Sequence, residues 1–159
     1  FRVKVDDREQ YSTGYKFNDW EMRGVPLRIE IGPRDIENNK CVFVRRDTFE
    51  KIEVDLNEIE TQLTKILNDI QNNMFKMCQD RMNAKTTIAH NMDEFKNAMD
   101  TNQGLVKTMW CGSAECEDKI HEETGAKSRC MPFEQEHLGN TCVYCGKKAD
   151  KRVIWGRQY

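Results

Sequence analysis

The chain has 159 residues, of which 25 are Lys or Arg and 27 are Asp or Glu, so its formal net charge is −2. This balance excludes a polycation that coats nucleic acid or membranes by charge alone. The mean hydropathy of −0.83 indicates a thin hydrophobic core. No apolar run approaches the roughly 18 residues that a membrane-spanning helix needs.

The number of cysteines and the first residue bear on where the protein functions. Seven cysteines, an odd number, cannot all pair as disulfides within one chain. We therefore expect an intracellular, reducing compartment, namely the cytoplasm. The chain begins at Phe1 without a signal peptide, and this abrupt start suggests a piece of a longer protein.

The first third of the chain shows alternating apolar and polar residues, which is typical of half-buried strands. This alternation predicts strands at residues 1–5 and 25–31, and a short, continuously apolar run predicts another at residues 41–44, with residues 51–56 as its partner. The last two are expected to pair as a hairpin. Residues 15–23 are predicted to form a short helix that ends at Gly24. Strands combined with a helix favour an α/β sheet layer.

The clearest periodicity follows, where apolar residues recur every three or four positions and form one helical stripe. The stripe comprises Leu56, Ile59, Leu63, Ile66, Leu67, Ile70, Met74, Met77, Cys78 and Met82. Asp55 and Glu58 fit a capping box at its start. We predict a helix of about 25 residues that bridges two modules. Asn91 and Glu94 form a second capping pair, before a shorter helix over residues 92–99.

Four cysteines form two short pairs, Cys111 with Cys116 and Cys142 with Cys145. A predicted strand over residues 105–110 leads to the first pair, and each pair is expected to place two thiolates on one tight turn. Zinc takes four tetrahedral ligands with zinc–sulfur distances of about 2.3 Å. The four cysteines therefore predict a zinc site. Because four thiolates leave no open coordination position, we expect the ion to be structural.

Other interpretations of the cysteines are two disulfides or a cluster that binds no metal. Cys130, His121 and His137 lie between the pairs and are alternative ligands, although their spacing matches no zinc knuckle. Cys41 and Cys78 lie on apolar runs and are predicted to be small buried hydrophobic residues.

Residues 14–51 contain eight cations and seven anions, a net charge of only +1. Such a window is not the basic patch that marks a nucleic-acid-binding surface. Tyr15, Phe17 and Trp20 are interleaved with these charges and would suit stacking on unpaired bases. Composition alone favours a solvated face of mixed charge.

Several motifs resemble those of the prolyl-tRNA synthetase family. Residues 14–35 (GYKFNDWEMRGVPLRIEIGPRD) look like its anticodon-binding domain, as do residues 3–8 and 44–47. The similarity continues through both cysteine pairs, through KSRCMPFE at residues 127–134 and through the terminal WGRQY. It covers essentially the whole chain, and the cysteine-rich tail is typical of the archaeal- and eukaryotic-like branch.

The resemblance implies the C-terminal part of a class II synthetase that activates proline with ATP and Mg²⁺ and transfers it to tRNA. Catalysis would reside in an upstream domain, because nothing in this chain resembles the ATP-binding motifs. The chain alone is therefore expected to be inactive. The implied partners are the tRNA for proline, a second copy in a homodimeric parent, or a multi-synthetase complex. Neither DNA nor a membrane is expected as a partner.

The resemblance also implies which residues read the two consecutive guanines of proline anticodons. Glu21 falls where a carboxylate accepts from a guanine Watson–Crick edge, and Arg28 and Arg34 fall at cationic positions that contact bases or phosphates. Phe17 would supply a stacking face, with burial under the short helix as the alternative. Lys51 would add a further contact.

The end of the chain has an implied role as well. By resemblance, the carboxylate of Tyr159 points toward the proline site of the parent enzyme, and a strand over residues 153–155 positions it. The alternative is a frayed tail.

The predicted fold is α/β, with a partial mixed-sheet anticodon-binding domain linked by a long helix to a small α+β zinc-binding domain. Residues 1–66 are assigned to the anticodon-binding domain and residues 67–159 to the C-terminal zinc-binding domain. The competing hypotheses are a zinc-ribbon module for protein interaction and a purely structural domain.

Overall fold

A computed structural model, which describes residues 1–158, divides the chain into two compact units, Phe1–Met77 and Cys78–Tyr159. In the first unit the elements are α1 (Thr13–Met22), β1 (Leu27–Glu30), α2 (Pro33–Glu37), β2 (Lys40–Arg45) and β3 (Lys51–Asp55). A 3₁₀ turn at Leu56–Glu58 leads into the long helix α3 (Ile59–Ala84). The second unit continues with β4 (Thr86–Ile88), α4 (Met92–Thr101), β5 (Leu105–Trp110), α5 (Ala114–Thr124), β6 (Ala126–Cys130) and β7 (Lys151–Arg157).

The first sheet is an antiparallel meander in the order β1-β2-β3. Arg28 lies opposite Val44, and Val44 lies opposite Lys51. Because directly opposed residues share one face of a sheet, Arg28 and Lys51 lie on the same face. The predicted hairpin between residues 41–44 and 51–56 is therefore confirmed, with the register that places two predicted site residues together.

The opposite face of this sheet forms the core of the first unit. Cys41 and Phe43 are fully buried there, and they pack with Val54 against Ile66 and Ile70 of α3. The buried face of β2 thus packs on the apolar stripe of α3. Burial of Cys41 confirms its prediction as a small hydrophobic residue.

Two predictions for the first part of the chain are wrong. Residues 1–5 form no strand, and Phe1, Val3 and Val5 are about three-quarters exposed. A strand needs a neighbour to accept its backbone hydrogen bonds, and no described strand pairs with this segment. Cys78 is exposed rather than buried, because the core around α3 includes Ile59 through Ile70 but not the later half of the stripe.

The segment before α1 is held by an ion-pair network instead of a strand ladder. Asp6 accepts from the Arg8 guanidinium at 2.7 Å and from the Trp20 indole N–H at 2.8 Å. Arg8 also pairs with Asp19 at 3.0 Å. The Arg8 guanidinium holds the pKa of Asp6 well below its ordinary value. The guanidinium groups of Arg8 and Arg23 also lie over the Trp20 ring, 5.8 and 5.1 Å from its centroid.

The second sheet has the order β4-β5-β7-β6, with β4 parallel to β5 and the other pairs antiparallel. Its core is built around Trp155, which is fully buried and packs edge-on against Phe95 and Trp110. The indole N–H of Trp155 donates to the buried Thr108 hydroxyl at 2.9 Å. This bond satisfies both polar groups within an apolar core.

The predicted fold class is confirmed, since a long helix connects two parts that each contain a sheet. The predicted helices at residues 15–23 and 92–99 and the strand at residues 105–110 are present as α1, α4 and β5. Asn91 caps α4 by accepting from the Glu94 amide at 2.9 Å. Within the described residues, no helix combines the length and apolar character that crossing a membrane requires.

Acidification should destabilise the first unit through Asp47. The Arg45 guanidinium, at 2.7 Å, and the Asn73 amide hold the pKa of the nearly buried Asp47 carboxyl below its ordinary value. A folded-state pKa below the unfolded value of about 3.9 stabilises the fold above that pH and loses the stabilisation as pH falls through the folded value. The amide protection factors of β2 and β3, which are corrected for the intrinsic exchange rate, should fall below about pH 4, and Asp47→Asn should weaken that dependence. The exposed Asp7→Asn variant is the control; an identical acid response in both variants would contradict this role.

Candidate functional site

The four predicted metal ligands converge at one end of the second sheet. Cys111 directly follows β5, Cys116 lies in the first turn of α5, and Cys142 and Cys145 lie in the turn before β7. All four sulfur atoms lie within 4.8 Å of one another. The Cys111 sulfur is 3.6 Å from that of Cys116 and 3.8 Å from that of Cys145. A tetrahedral site with metal–sulfur bonds of about 2.3 Å has sulfur–sulfur edges of about 3.8 Å. The cluster is therefore positioned to bind a metal ion.

Two of the alternatives considered for these cysteines, disulfides and other ligand residues, do not match the geometry. Sulfur separations of 3.6 and 3.8 Å exceed the disulfide length of about 2.05 Å. Within the described residues, neither Cys130 nor His121 nor His137 belongs to the cluster. One detail of the prediction is wrong, because the first pair does not occupy a single tight turn: the chain passes from a strand end into a helix that supplies the second thiol.

Glycines allow the backbone to bend beside the sulfurs. Gly112 and Gly146 have φ angles of +85° and +68°, in the left-handed region that favours glycine. A Cβ at Gly112 would also come within 2.7 Å of the Lys151 ammonium nitrogen. Both glycines follow a cysteine directly, so these turns set the direction of the neighbouring ligands.

The protein environment affects the ionisation of the four sulfurs unequally. Cys116 and Cys142 are buried with Met109 and Ala149, and this burial raises the pKa of both thiols. The backbone N–H of Lys147, in contrast, lowers the pKa of Cys145 to about 7. A divalent cation stabilises thiolates and so offsets the desolvation that burial imposes. With four sulfur ligands, such an ion has no open coordination position.

A second cluster of predicted site residues lies where α1 crosses the exposed face of the first sheet. The Arg28 guanidinium lies 3.8 Å from the centroid of the Phe17 ring. Its Nη1 donates to Glu21 at 2.6 Å, and its Nε donates to Glu30 at 2.9 Å. Lys51, from β3, pairs with the other oxygen of Glu30 at 3.6 Å. The structure thus brings together four of the five residues predicted to contact the anticodon.

Glu30 is the residue of this cluster that the sequence analysis missed. It lies two positions after Arg28 on β1, so strand periodicity places both side chains on one face. Its two carboxylate oxygens bind two cations from different strands. The spacing of two between Arg28 and Glu30 was the available signal. In the net charge of residues 14–51, Glu30 is only one of seven anions.

Charges in this cluster are paired, which agrees with the near-neutral composition of the window. Arg28 uses Nε and Nη1 for carboxylates, and in the described part of the chain Nη2 has no hydrogen-bond partner. One edge of the guanidinium therefore keeps donors for an external acceptor. Phe17 is partly buried, and its ring lies against the Arg28 guanidinium.

One of the five residues predicted to contact the anticodon is separate from this cluster. Arg34 lies on the surface in α2, and it forms no ion pair among residues 1–158. Tyr159 lies outside the described residues, although the strand predicted at residues 153–155 is present within β7.

Two family models match most of this chain. A family model described as "Anticodon binding domain" matches residues 1–66, and one described as "Prolyl-tRNA synthetase, C-terminal" matches residues 92–159. The chain is 53% identical over 157 residues to a Clostridioides difficile protein named proline–tRNA ligase 2, covering 99% of this chain. It is 50% identical over 159 residues to the proline–tRNA ligase of Alkaliphilus oremlandii. The chain therefore corresponds to the C-terminal part of prolyl-tRNA synthetases.

A solved prolyl-tRNA synthetase supports the same assignment. The structure from Cryptosporidium parvum, complexed with L-proline and AMP, matches 99% of this chain with a TM-score of 0.91 and 36% identity. The chain spans about a third of these family members, namely 33% of both bacterial relatives and 34% of the Cryptosporidium chain.

Proposed function

We propose that this chain is the anticodon-recognising, metal-braced C-terminal part of a cytoplasmic proline–tRNA ligase. The parent enzyme would use ATP and Mg²⁺ to attach proline to its tRNA, with catalysis in a domain outside this chain. The carrying observation is the Arg28 guanidinium, held between the Phe17 ring and the Glu21 carboxylate, in the segment that matches an anticodon-binding model. Residues 1–66 would form that domain, and residues 67–159 the C-terminal domain.

The chemistry of guanine fits this cluster. A guanine presents N–H donors on its Watson–Crick edge and acceptors at O6 and N7. Glu21 can accept from the donor edge, and Arg28 can donate to the acceptors, so adjacent guanines would use both members of the existing ion pair. Base binding then replaces the contact between Arg28 and Glu21 by a hydrogen bond from a base to each charged group. It does not require the desolvation of two unpaired charges. Arg34 would add a separate contact to the backbone or a base.

We further propose that the metal is zinc and that its role is structural. Four thiolates in tetrahedral spacing match the ligand set of structural zinc sites. The ion would join the end of β5, the start of α5 and the turn before β7. The carboxylate of Tyr159, which follows β7, would then reach the proline site of the parent. We also propose two further kinds of partner: a second copy of the parent enzyme, in a homodimer, and other synthetases, in a multi-synthetase complex.

Binding of tRNA transcripts to this chain tests the proposed recognition. A transcript with the two anticodon guanines should bind more tightly than one in which either guanine is replaced by adenine. The expected discrimination is about 5- to 150-fold per base, the equivalent of 1–3 kcal/mol. Equal affinity for all transcripts would instead support an interaction module. Unchanged binding after metal removal would support a purely structural role for the tail.

Glu30 is expected to position the two cations of this cluster. Glu30→Gln should reduce the discrimination between guanine and adenine several-fold, because Arg28 and Lys51 would lose the carboxylate that fixes them. Glu30→Asp should restore part of it. The matched control is Glu53→Gln on β3, where an exposed carboxylate pairs with Lys40. The measurement is the ratio of dissociation constants for the two transcripts, and an equal ratio in both glutamine variants would contradict this role.

A further inference from the structure

The second unit contains a cavity of about 530 Å³ that is unrelated to either site described above. Its wall combines the apolar side chains of Met82, Met99 and Leu105 with four cations and no carboxylate. Cavities that bind small molecules are typically about 300–1,000 Å³ and mostly apolar with a few polar groups. The size and composition of this one fit that class.

Close backbone packing fixes the frame of this cavity. A Cβ at Gly104 would lie 1.9 Å from the Lys85 carbonyl oxygen, so the turn before β5 packs directly on the end of α3. A Cβ at Gly156 would lie 3.2 Å from a Leu105 methyl and 3.4 Å from the Arg129 Nε. Gly104 therefore allows the start of β5 to approach Lys85 closely, and Gly156 allows β7 to approach Leu105 and Arg129.

The four cations differ in how they are already used. Arg157 is saturated, since it donates to Thr124, to Met99 and to Asp100 at 2.7–3.2 Å. Arg129 donates one Nη2 bond to the Gly156 carbonyl at 3.0 Å.

The donors that face no acceptor belong to three of these side chains. Within residues 1–158, the remaining nitrogens of Arg129 and the whole charged groups of Arg81 and Lys85 have no hydrogen-bond or ion-pair partner. Like charges around one concave space repel each other, and an anion between them would remove that repulsion. The chain as a whole carries a net charge of −2, so this local excess of cations is not a consequence of composition.

We propose that this cavity binds a small phosphate monoester that carries an apolar or aromatic body. The phosphate would accept from Arg81, Lys85 and Arg129, since guanidinium groups donate to phosphate oxygens in pairs. The body would pack on Met82, Met99 and Leu105. A volume of this size accommodates a whole small molecule, whereas a nucleic-acid backbone is followed by an open basic groove. The site is independent of the proposed anticodon recognition.

Methionine methyl NMR of the intact chain with phenyl phosphate as the probe tests this site. The Met82 and Met99 methyl resonances should shift and saturate, while those of Met22, in the first unit, and of Met109, buried beside the cysteine cluster, should not. Inorganic phosphate and phenol, as the two halves of the probe, should each bind at least about tenfold more weakly.

Charge removal provides the second readout. Lys85→Gln and Arg81→Gln should each weaken binding by about fivefold, the equivalent of about 1 kcal/mol. These side chains have no partner in the described structure, so both variants should keep the wild-type spectrum. The control is Lys119→Gln on the exposed face of α5, which should bind normally. Unselective methyl shifts, equal binding of phenol, or an unchanged dissociation constant in both cavity variants would each overturn the proposal.

Discussion

Cys142→Ser is expected to abolish metal binding and to destabilise the second unit severely. Cys142 is a buried member of the sulfur cluster, and a serine hydroxyl is a poor ligand for a metal that prefers thiolates. Structural zinc contributes roughly 10–16 kcal/mol of apparent binding free energy in small domains. Because this unit has its own apolar core around Trp155, we expect only part of that loss, at least about 3 kcal/mol, and a fall in Tm of roughly 12 °C.

The protein supplies its own controls for this result. Cys78 and Cys130 are exposed cysteines outside the cluster, so Cys78→Ser and Cys130→Ser should each retain one metal ion per chain and the wild-type Tm. Elemental analysis measures the stoichiometry, and thermal unfolding measures the stability. A chelator should reproduce the Cys142→Ser behaviour in the unmodified chain. Full metal content in Cys142→Ser, or equal metal loss in Cys130→Ser, would show that the cluster is not the metal site.

Arg28→Ala is expected to weaken tRNA recognition strongly while leaving proline activation intact. Arg28 contacts three groups of the cluster and retains free donors, so its removal eliminates a base contact. Glu21 then loses its cation, and Glu30 keeps only Lys51. A bidentate guanine contact accounts for about 1–3 kcal/mol, or about 5- to 150-fold in binding. Like charge on the two carboxylates would add repulsion toward the RNA backbone.

The full-length enzyme allows the two activities to be measured separately. The rate of tRNA charging should fall in Arg28→Ala, whereas the rate of proline-dependent ATP–pyrophosphate exchange should not. Arg28→Lys should recover little, because an ammonium group lacks the planar fork of a guanidinium. Lys40→Ala, which removes an exposed cation elsewhere on the same sheet, should change neither activity. Equal loss in both assays would assign Arg28 to general stability.

Local patterns were sufficient for elements whose signal is contained in their own residues. The stripe of apolar residues predicted α3, the Asn91 cap predicted α4, and a short apolar run followed by a polar turn predicted the β2–β3 hairpin. The helix α5 was not predicted, because the spacing of Cys111 and Cys116 indicated a tight turn. The segment between and after them is nevertheless rich in helix-forming residues. The strands β4 and β6 are short or polar, and their pairing partners lie far away in the sequence.

The strand predicted at residues 1–5 failed for a different reason. Alternation shows which face of an extended segment is apolar, but it cannot supply the neighbouring strand that makes the segment part of a sheet. In this structure, Asp6 and Arg8 connect the segment to α1 through side chains instead. Exposure of Cys78 has a similar cause, because helical periodicity does not say how far along a helix its packing partners extend.

The cysteines and the charged residues show which features the sequence encodes and which it does not. The sequence by itself determined that four cysteines occur in two pairs with the chemistry of a metal site, and that its front segment is nearly neutral. Only the tertiary structure decided that the four sulfurs lie within 4.8 Å of one another, that Glu30 joins Arg28 to Lys51, and that three unpaired cations share a cavity. Distances between residues far apart in the chain depend on how strands and helices pack, and no local pattern encodes them.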